Sequence, residues 1–133
     1  MTLSDFRGQP LILAFYPADR SPVCSNQLAL YNEALPIFAE HDAALLAIST
    51  DDLDAHRAFV TDLNLSFPLL ADDDPPGAVA RAFGVYNEAQ GTAQRALFVL
   101  DADGVIRWRQ VSEPNVNPGA HGILYALEQV APV

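Results

Sequence analysis

A strand that runs almost directly into a capped helix constrains this chain more than any other feature. The run Leu11-Ile12-Leu13-Ala14-Phe15 is continuously apolar and lies between Gly8-Gln9-Pro10 and Pro17, which predicts a short buried strand over Pro10 to Phe15. Ser21 then falls at a helix N-cap, where its hydroxyl can satisfy an orphan backbone N–H. Pro22 takes the first helical position, where a missing N–H costs nothing. Cys24, Leu28, Tyr31, Leu35 and Phe38 follow at alternating spacings of four and three, so the helix is amphipathic and the sulfur lies on its core-facing stripe. Pro36 removes the bond to the Asn32 carbonyl, an uncompensated cost of about 3 kcal/mol, and a kink or helix end is expected near it.

The rest of the chain continues the alternation. Ala43 to Ser49 reads as a second buried strand, and Thr50-Asp51-Asp52 caps a helix from Leu53 to Leu63. Phe67 to Ala71 is a short strand, and Asp72-Asp73-Asp74-Pro75-Pro76-Gly77 is a solvated turn that caps a short helix ending at Phe83. Those consecutive carboxylates lack the alternating ligands and closing Glu of a calcium-binding EF-hand loop. Tyr86 to Ala93 has no periodicity and reads as loop. Arg95 to Asp101 and Val105 to Val111 read as strands of a hairpin turning at Ala102-Asp103-Gly104. A last helix, Ala120 to Val130, is expected to bury Ile123, Leu124, Leu127 and Val130. This order implies one α/β domain over residues 1–133, a mixed central sheet with helices on both faces, which is the thioredoxin-like arrangement.

The chemistry centres on the only cysteine. A cysteine in the first turn of a helix faces unpaired backbone N–H groups and the positive end of the helix dipole, and both favour thiolate over thiol. Pro17 stiffens the loop that shields it. Spacing leaves a second reading open, an ordinary capped helix with a buried structural cysteine.

A family resemblance separates the two readings. Pro17-x-x-x-Ser21-x-x-Cys24, directly after a strand ending in Phe15-Tyr16, resembles the peroxiredoxin signature Pro-x-x-x-Thr/Ser-x-x-Cys. Arg95-Ala96-Leu97-Phe98-Val99-Leu100-Asp101 resembles the strand that carries the family's arginine, and Gln27 matches a position where many members have Gln or Glu. The likeness runs from about Leu3 to about Arg109, and the chain is similar to the one-Cys type near the bacterioferritin-comigratory-protein and alkyl hydroperoxide reductase/thiol-specific antioxidant group. The resemblance implies a thiol-dependent peroxidase for hydrogen peroxide and organic hydroperoxides. Cys24 is then the nucleophile that becomes a sulfenic acid, helped by Arg95, Ser21, Pro17 and the amides of Val23 and Cys24. No cofactor is expected. Two rivals keep the fold without turnover, a redox sensor and a non-catalytic binding module.

In the family a second cysteine commonly resolves the sulfenate five residues after the first or in the helix after the second strand. Here those places read Ala29 and Leu53-Asp54-Ala55-His56, so the expected reductant is an external thiol: a low-molecular-weight thiol, a thioredoxin or a glutaredoxin. Peroxiredoxins also usually carry more residues, often a β-hairpin, before the stretch matching Leu3 to Gly8. Either the natural start lies upstream, or the sheet edge is covered by something else such as a second subunit in a homodimer. His41, His56 and His121 match no catalytic position and are expected at the surface or at helix ends; Tyr16 is expected beside the active-site loop, Arg20 to add positive potential there, and Trp108 to serve core or edge packing.

Composition closes off other functions. Seventeen acidic residues against seven arginines and no lysine give a net charge of −10, a surface that repels nucleic-acid phosphates and anionic lipids. The N-terminus lacks the basic and apolar regions of a signal peptide, no apolar run reaches the length of a membrane span, and one cysteine excludes an internal disulfide or a Cys-rich metal site. The expected compartment is the cytoplasm.

Overall fold

The strand predicted around Leu11 becomes the centre of the sheet. In a computed structural model, which describes residues 7–19, 21–73, 75–113 and 116–130, five strands form one sheet. β1 (Leu11–Phe15) pairs in parallel with β2 (Ala44–Ser49), which pairs in parallel with β3 (Leu69–Ala71). On its other side β1 is antiparallel to β6 (Arg95–Leu100), and β6 to β7 (Ile106–Ser112). With neighbours on both sides, every residue of β1 and of β6 is buried. This is why both read as unbroken apolar runs instead of alternating ones.

Pleating splits these residues between two cores. Ile12, Ala14, Leu45, Ala47, Leu97 and Val99 face α1 (Pro22–Glu40), α2 (Leu53–Leu63) and α4 (His121–Gln129). Leu11, Leu13, Phe15, Leu46, Ile48 and Phe98 face α3 (Ala78–Ala82) and a small hairpin of β4 (Tyr86–Asn87) and β5 (Thr92–Ala93). Helices therefore lie on both faces, as expected for a thioredoxin-like fold, but unequally.

The structure departs from the sequence expectations at several points. Of the kink or helix end expected near Pro36, the end does not fall at the proline: α1 runs on to Glu40, with Tyr31, Ala34 and Phe38 burying their side chains on either side of Pro36. The segment from Tyr86 to Ala93 is not plain loop: Tyr86 pairs with Ala93 and Asn87 with Thr92, in strands too short to carry a period. The turn at Asp72 does cap α3, through carboxylate oxygens accepting from the Val79 and Ala80 amides. Asp72 is nevertheless buried, so this part of the turn is not solvated. α4 buries Ile123, Ala126 and Leu127, while Leu124 and Val130 are only partly covered.

Candidate active site

The site forms where the carboxyl end of β1 meets the amino end of α1. Ser21 has extended backbone angles and caps the helix, its Oγ accepting from the Cys24 amide at 3.2 Å, with Pro22 in the first turn. The Cys24 amide, one of the two expected to help the reaction, is the group that the cap engages. Arg95 is set by register. The last β1–β6 pair is Phe15 with Ala96, so Arg95 lies one step beyond, level with the loop that follows β1. Strand alternation turns its side chain to the face of Leu97, against which α1 packs.

There its guanidinium donates from Nη2 to Cys24 Sγ at 3.2 Å and from Nη1 to Gln27 Oε1 at 2.5 Å. Gln27 Nε2 in turn donates to Tyr31 Oη at 3.1 Å, and Tyr31 donates to the Gly119 carbonyl at 2.9 Å. Cys24, Gln27 and Tyr31 are fully buried and Arg95 is 2% exposed. A fork that satisfies two acceptors in a dry site holds the charge still, which a lysine could not do as well. Burial pushes the Tyr31 phenol up to about 12, against the pull of Gln27 and Arg95, so it stays a neutral donor.

Pro17 and Arg95 also line a cleft of about 660 Å³, together with Ala18, Thr92 to Gln94 and the end of β7 at Val111 to Glu113. Pro17, Ser21, Cys24 and Arg95, the four residues named from the sequence, thus meet at one end of the sheet. Arg20 lies outside the described residues. Among the described residues no group of His, Cys, Asp and Glu side chains is arranged to hold a metal ion, and no helix is long and apolar enough to cross a membrane.

One group escaped the sequence reading. His56 is buried, not superficial. Its Nδ1 lies 2.8 Å from Asp19 Oδ2 and its Nε2 3.0 Å from the Leu70 carbonyl. Burial favours the neutral ring, but the hydrogen bond to Asp19 and its charge, helped by Leu70, outweigh it and raise the pKa above the ordinary histidine value. Tyr16 packs beside the loop as expected, donating to Asp19 Oδ1 at 2.6 Å. The available signal was helical spacing: Phe59, Val60 and Leu63 form the apolar stripe of α2, and a step of three back from Phe59 is His56.

Fold and site together define a thioredoxin-fold protein with a single buried cysteine held against an arginine. Solved structures agree on the fold: Enterococcus faecalis AhpC matches with a TM-score of 0.87 at 32% identity, over 95% of this chain and 77% of that one. The bacterioferritin comigratory protein of Xanthomonas campestris matches with a TM-score of 0.86 at 28% identity, over 99% and 86%. Alkyl hydroperoxide reductase E of Mycobacterium tuberculosis is 38% identical over 115 residues, 86% of this chain and 75% of that protein. The chain belongs to the AhpC/TSA family, whose model matches residues 1–109. It is a thiol-dependent peroxidase of the peroxiredoxin kind, and its one cysteine fits the one-Cys type.

Proposed function

We propose that Cys24 is the peroxidatic nucleophile and that Arg95, Ser21 and Pro17 complete its site. The observation that carries this reading is the buried guanidinium 3.2 Å from the sulfur, at a helix N-terminus and beside a cleft. The Cys24 thiolate attacks the terminal oxygen of ROOH; the S–O bond forms as the O–O bond breaks, and the departing alkoxide takes a proton to leave as ROH. Sulfur is oxidised by two electrons and the peroxide is reduced by two. Arg95 steadies the anionic sulfur and the negative charge moving onto the leaving oxygen, as a fixed donor in a water-poor site does. Ser21 fixes the first turn, and Pro17 walls the loop.

The sulfenic acid then reacts with one external thiol to release water and form a mixed disulfide, and a second thiol frees Cys24 as the outside pair becomes a disulfide. A low-molecular-weight thiol, a thioredoxin or a glutaredoxin meets that chemical need. The cleft has room for an organic tail beyond the O–O group, and the Xanthomonas relative is described by its alkyl peroxide reduction activity. Residues 1–133 act as one domain in this reading, in a reducing compartment, the cytoplasm by default, with a homodimer as the assembly that covers an open sheet edge.

The test is the rate at which reduced protein is oxidised by stoichiometric hydrogen peroxide and by an alkyl hydroperoxide, against a free thiol at the same pH. The expected rate exceeds the free thiol by orders of magnitude, is abolished in Cys24→Ser, and supports sustained consumption once an external thiol is supplied. A rate equal to that of free thiol removes the assignment of these residues.

A further inference from the structure

The machinery above makes no use of the buried polar cluster on the other side of the catalytic loop. Asp19 lies midway between Pro17 and Ser21, and every polar group of it that can reach inward is engaged. Its Oδ1 accepts from Tyr16, its Oδ2 faces His56 Nδ1, and its amide donates to Asp51 Oδ2 at 2.8 Å. Asp51 is itself held by the Ser49 hydroxyl at 2.6 Å. The side chains of His56 and Asp19 are 3% and 4% exposed. So much buried polarity costs desolvation at every member, and a hydrophobic plug would fill the space more cheaply. It is spent on the one loop that sets the sulfur.

The protonation state follows from the acceptors. A backbone carbonyl only accepts, so the ring nitrogen 3.0 Å from Leu70 carries hydrogen. The nitrogen facing Asp19 meets a carboxylate whose other oxygen already accepts from Tyr16, so it too donates. Both nitrogens donate, which makes the ring an imidazolium. The groups facing it are Tyr16 from the end of β1, Asp19 from the loop, Asp51 from the β2–α2 connection and the Leu70 carbonyl from β3; among the described residues β3 adds no charged side chain. We propose that His56 is a positioning residue for the Cys24 reaction, a two-handed imidazolium clamp that ties the Pro17–Ser21 loop to β3 through Asp19 and releases it on losing one proton.

The clamp acts at a distance through the chain. His56 fixes Asp19, Ser21 follows two residues later, and the Ser21 hydroxyl holds the Cys24 amide. When the ring is neutral, only one nitrogen donates, and either Leu70 or Asp19 loses its partner. The loop then gains freedom, and Ser21 and Pro17 drift relative to Arg95.

This inference rests on the peroxidase reading, and its tests separate the two. The first is nitrogen-detected NMR of the His56 ring in the intact, reduced protein. Both ring nitrogens should be protonated at neutral pH in wild type, and a neutral ring there overturns the clamp without any variant. The second is the rate constant of Cys24 oxidation by hydrogen peroxide between about pH 5.5 and 9.5, where histidine can titrate. Wild type should show an alkaline decline that coincides with the NMR titration of His56. In His56→Gln that decline should vanish and the neutral-pH rate fall roughly tenfold, because small misplacements of reacting groups have such costs. Asp19→Asn, nearly the same size, should move the decline to lower pH. If both variants keep the wild-type rate and profile, the clamp is refuted. If wild-type Cys24 reacts no faster than a free thiol while the imidazolium is present, the peroxidase assignment fails instead.

Discussion

Arg95 is a residue whose role depends on shape as much as on charge. Its two terminal nitrogens serve different acceptors, Cys24 Sγ and Gln27 Oε1, and strand β6 brings the stem in from the buried side. A lysine carries the same charge but has one nitrogen and a mobile stem, and it is more heavily hydrated. Arg95→Lys should therefore slow Cys24 oxidation by about a hundredfold, the scale on which a lost preorganised donor acts, with the fold retained. Stopped-flow measurement under single-turnover conditions checks this. A rate near wild type would mean that net positive charge suffices and the fork does not matter. Cys24, Ser21, Pro17 and Arg95 were named together through the family resemblance; the pattern alone marked the strand and helix boundaries beside them and left a buried structural cysteine equally open. His56 was legible in neither. Its partners Asp19 and Leu70 lie 37 and 14 residues away, and a histidine flanked by Asp54 and Arg57 has the look of a solvated face.

At the scale of elements, α2 is joined to the sheet by that same histidine, and stability should depend on pH with a definite sign. The folded-state pKa of His56 is raised, so its contribution is fully present below the unfolded value of about 6.5 and is lost as pH rises through the folded value. The stability difference between wild type and His56→Gln should shrink across that window, as read from urea unfolding at a series of pH values. A difference that grows with pH would reverse the sign and contradict the raised pKa. α4 is joined differently. A Cβ on Gly122 would lie 2.6 and 2.8 Å from Trp108 Cζ2 and Cη2 and 3.0 Å from Gln110 Oε1, so β7 and α4 touch through a missing side chain. Ala restores up to ~1 kcal/mol of helix propensity, less in a first turn, whereas overpacking costs ~1–3 kcal/mol. Gly122→Ala should thus be net destabilising and shift the Trp108 emission, and a neutral or stabilised variant would mean that the ring moves aside freely. This contact explains one limit of sequence reading: α4 and β7 were both predicted from their patterns, but their close approach was not, since a glycine announces freedom without saying what it approaches. The β4–β5 hairpin was missed because two-residue strands have no period to read.

For the whole molecule the governing quantity is the net charge of −10. The order of elements in the sequence predicted a mixed sheet with helices on both faces, and the composition predicted an acidic surface directly; neither says which thiol regenerates Cys24. Charge nevertheless bears on that step. Buried arginine and sulfur present little to solution, so a small reductant first meets the field of the acidic surface. An anionic thiol such as mercaptopropionate is repelled, and a cationic one such as cysteamine is drawn in. Absolute rates for the two also reflect their different nucleophilicities, so the discriminating quantity is the response to salt, which changes screening for both. Raising ionic strength from about 0.01 M to about 0.15 M shortens the screening length from roughly 30 Å to roughly 8 Å. Reduction of the Cys24 sulfenate should then speed up with the anionic thiol and slow down with the cationic one, measured by stopped flow after a stoichiometric pulse of peroxide. Slopes of the opposite sign would mean that the local potential at the mouth of the cleft is positive despite the overall charge. A flat response to both would place the slow step inside the protein, in the opening that exposes a fully buried sulfur.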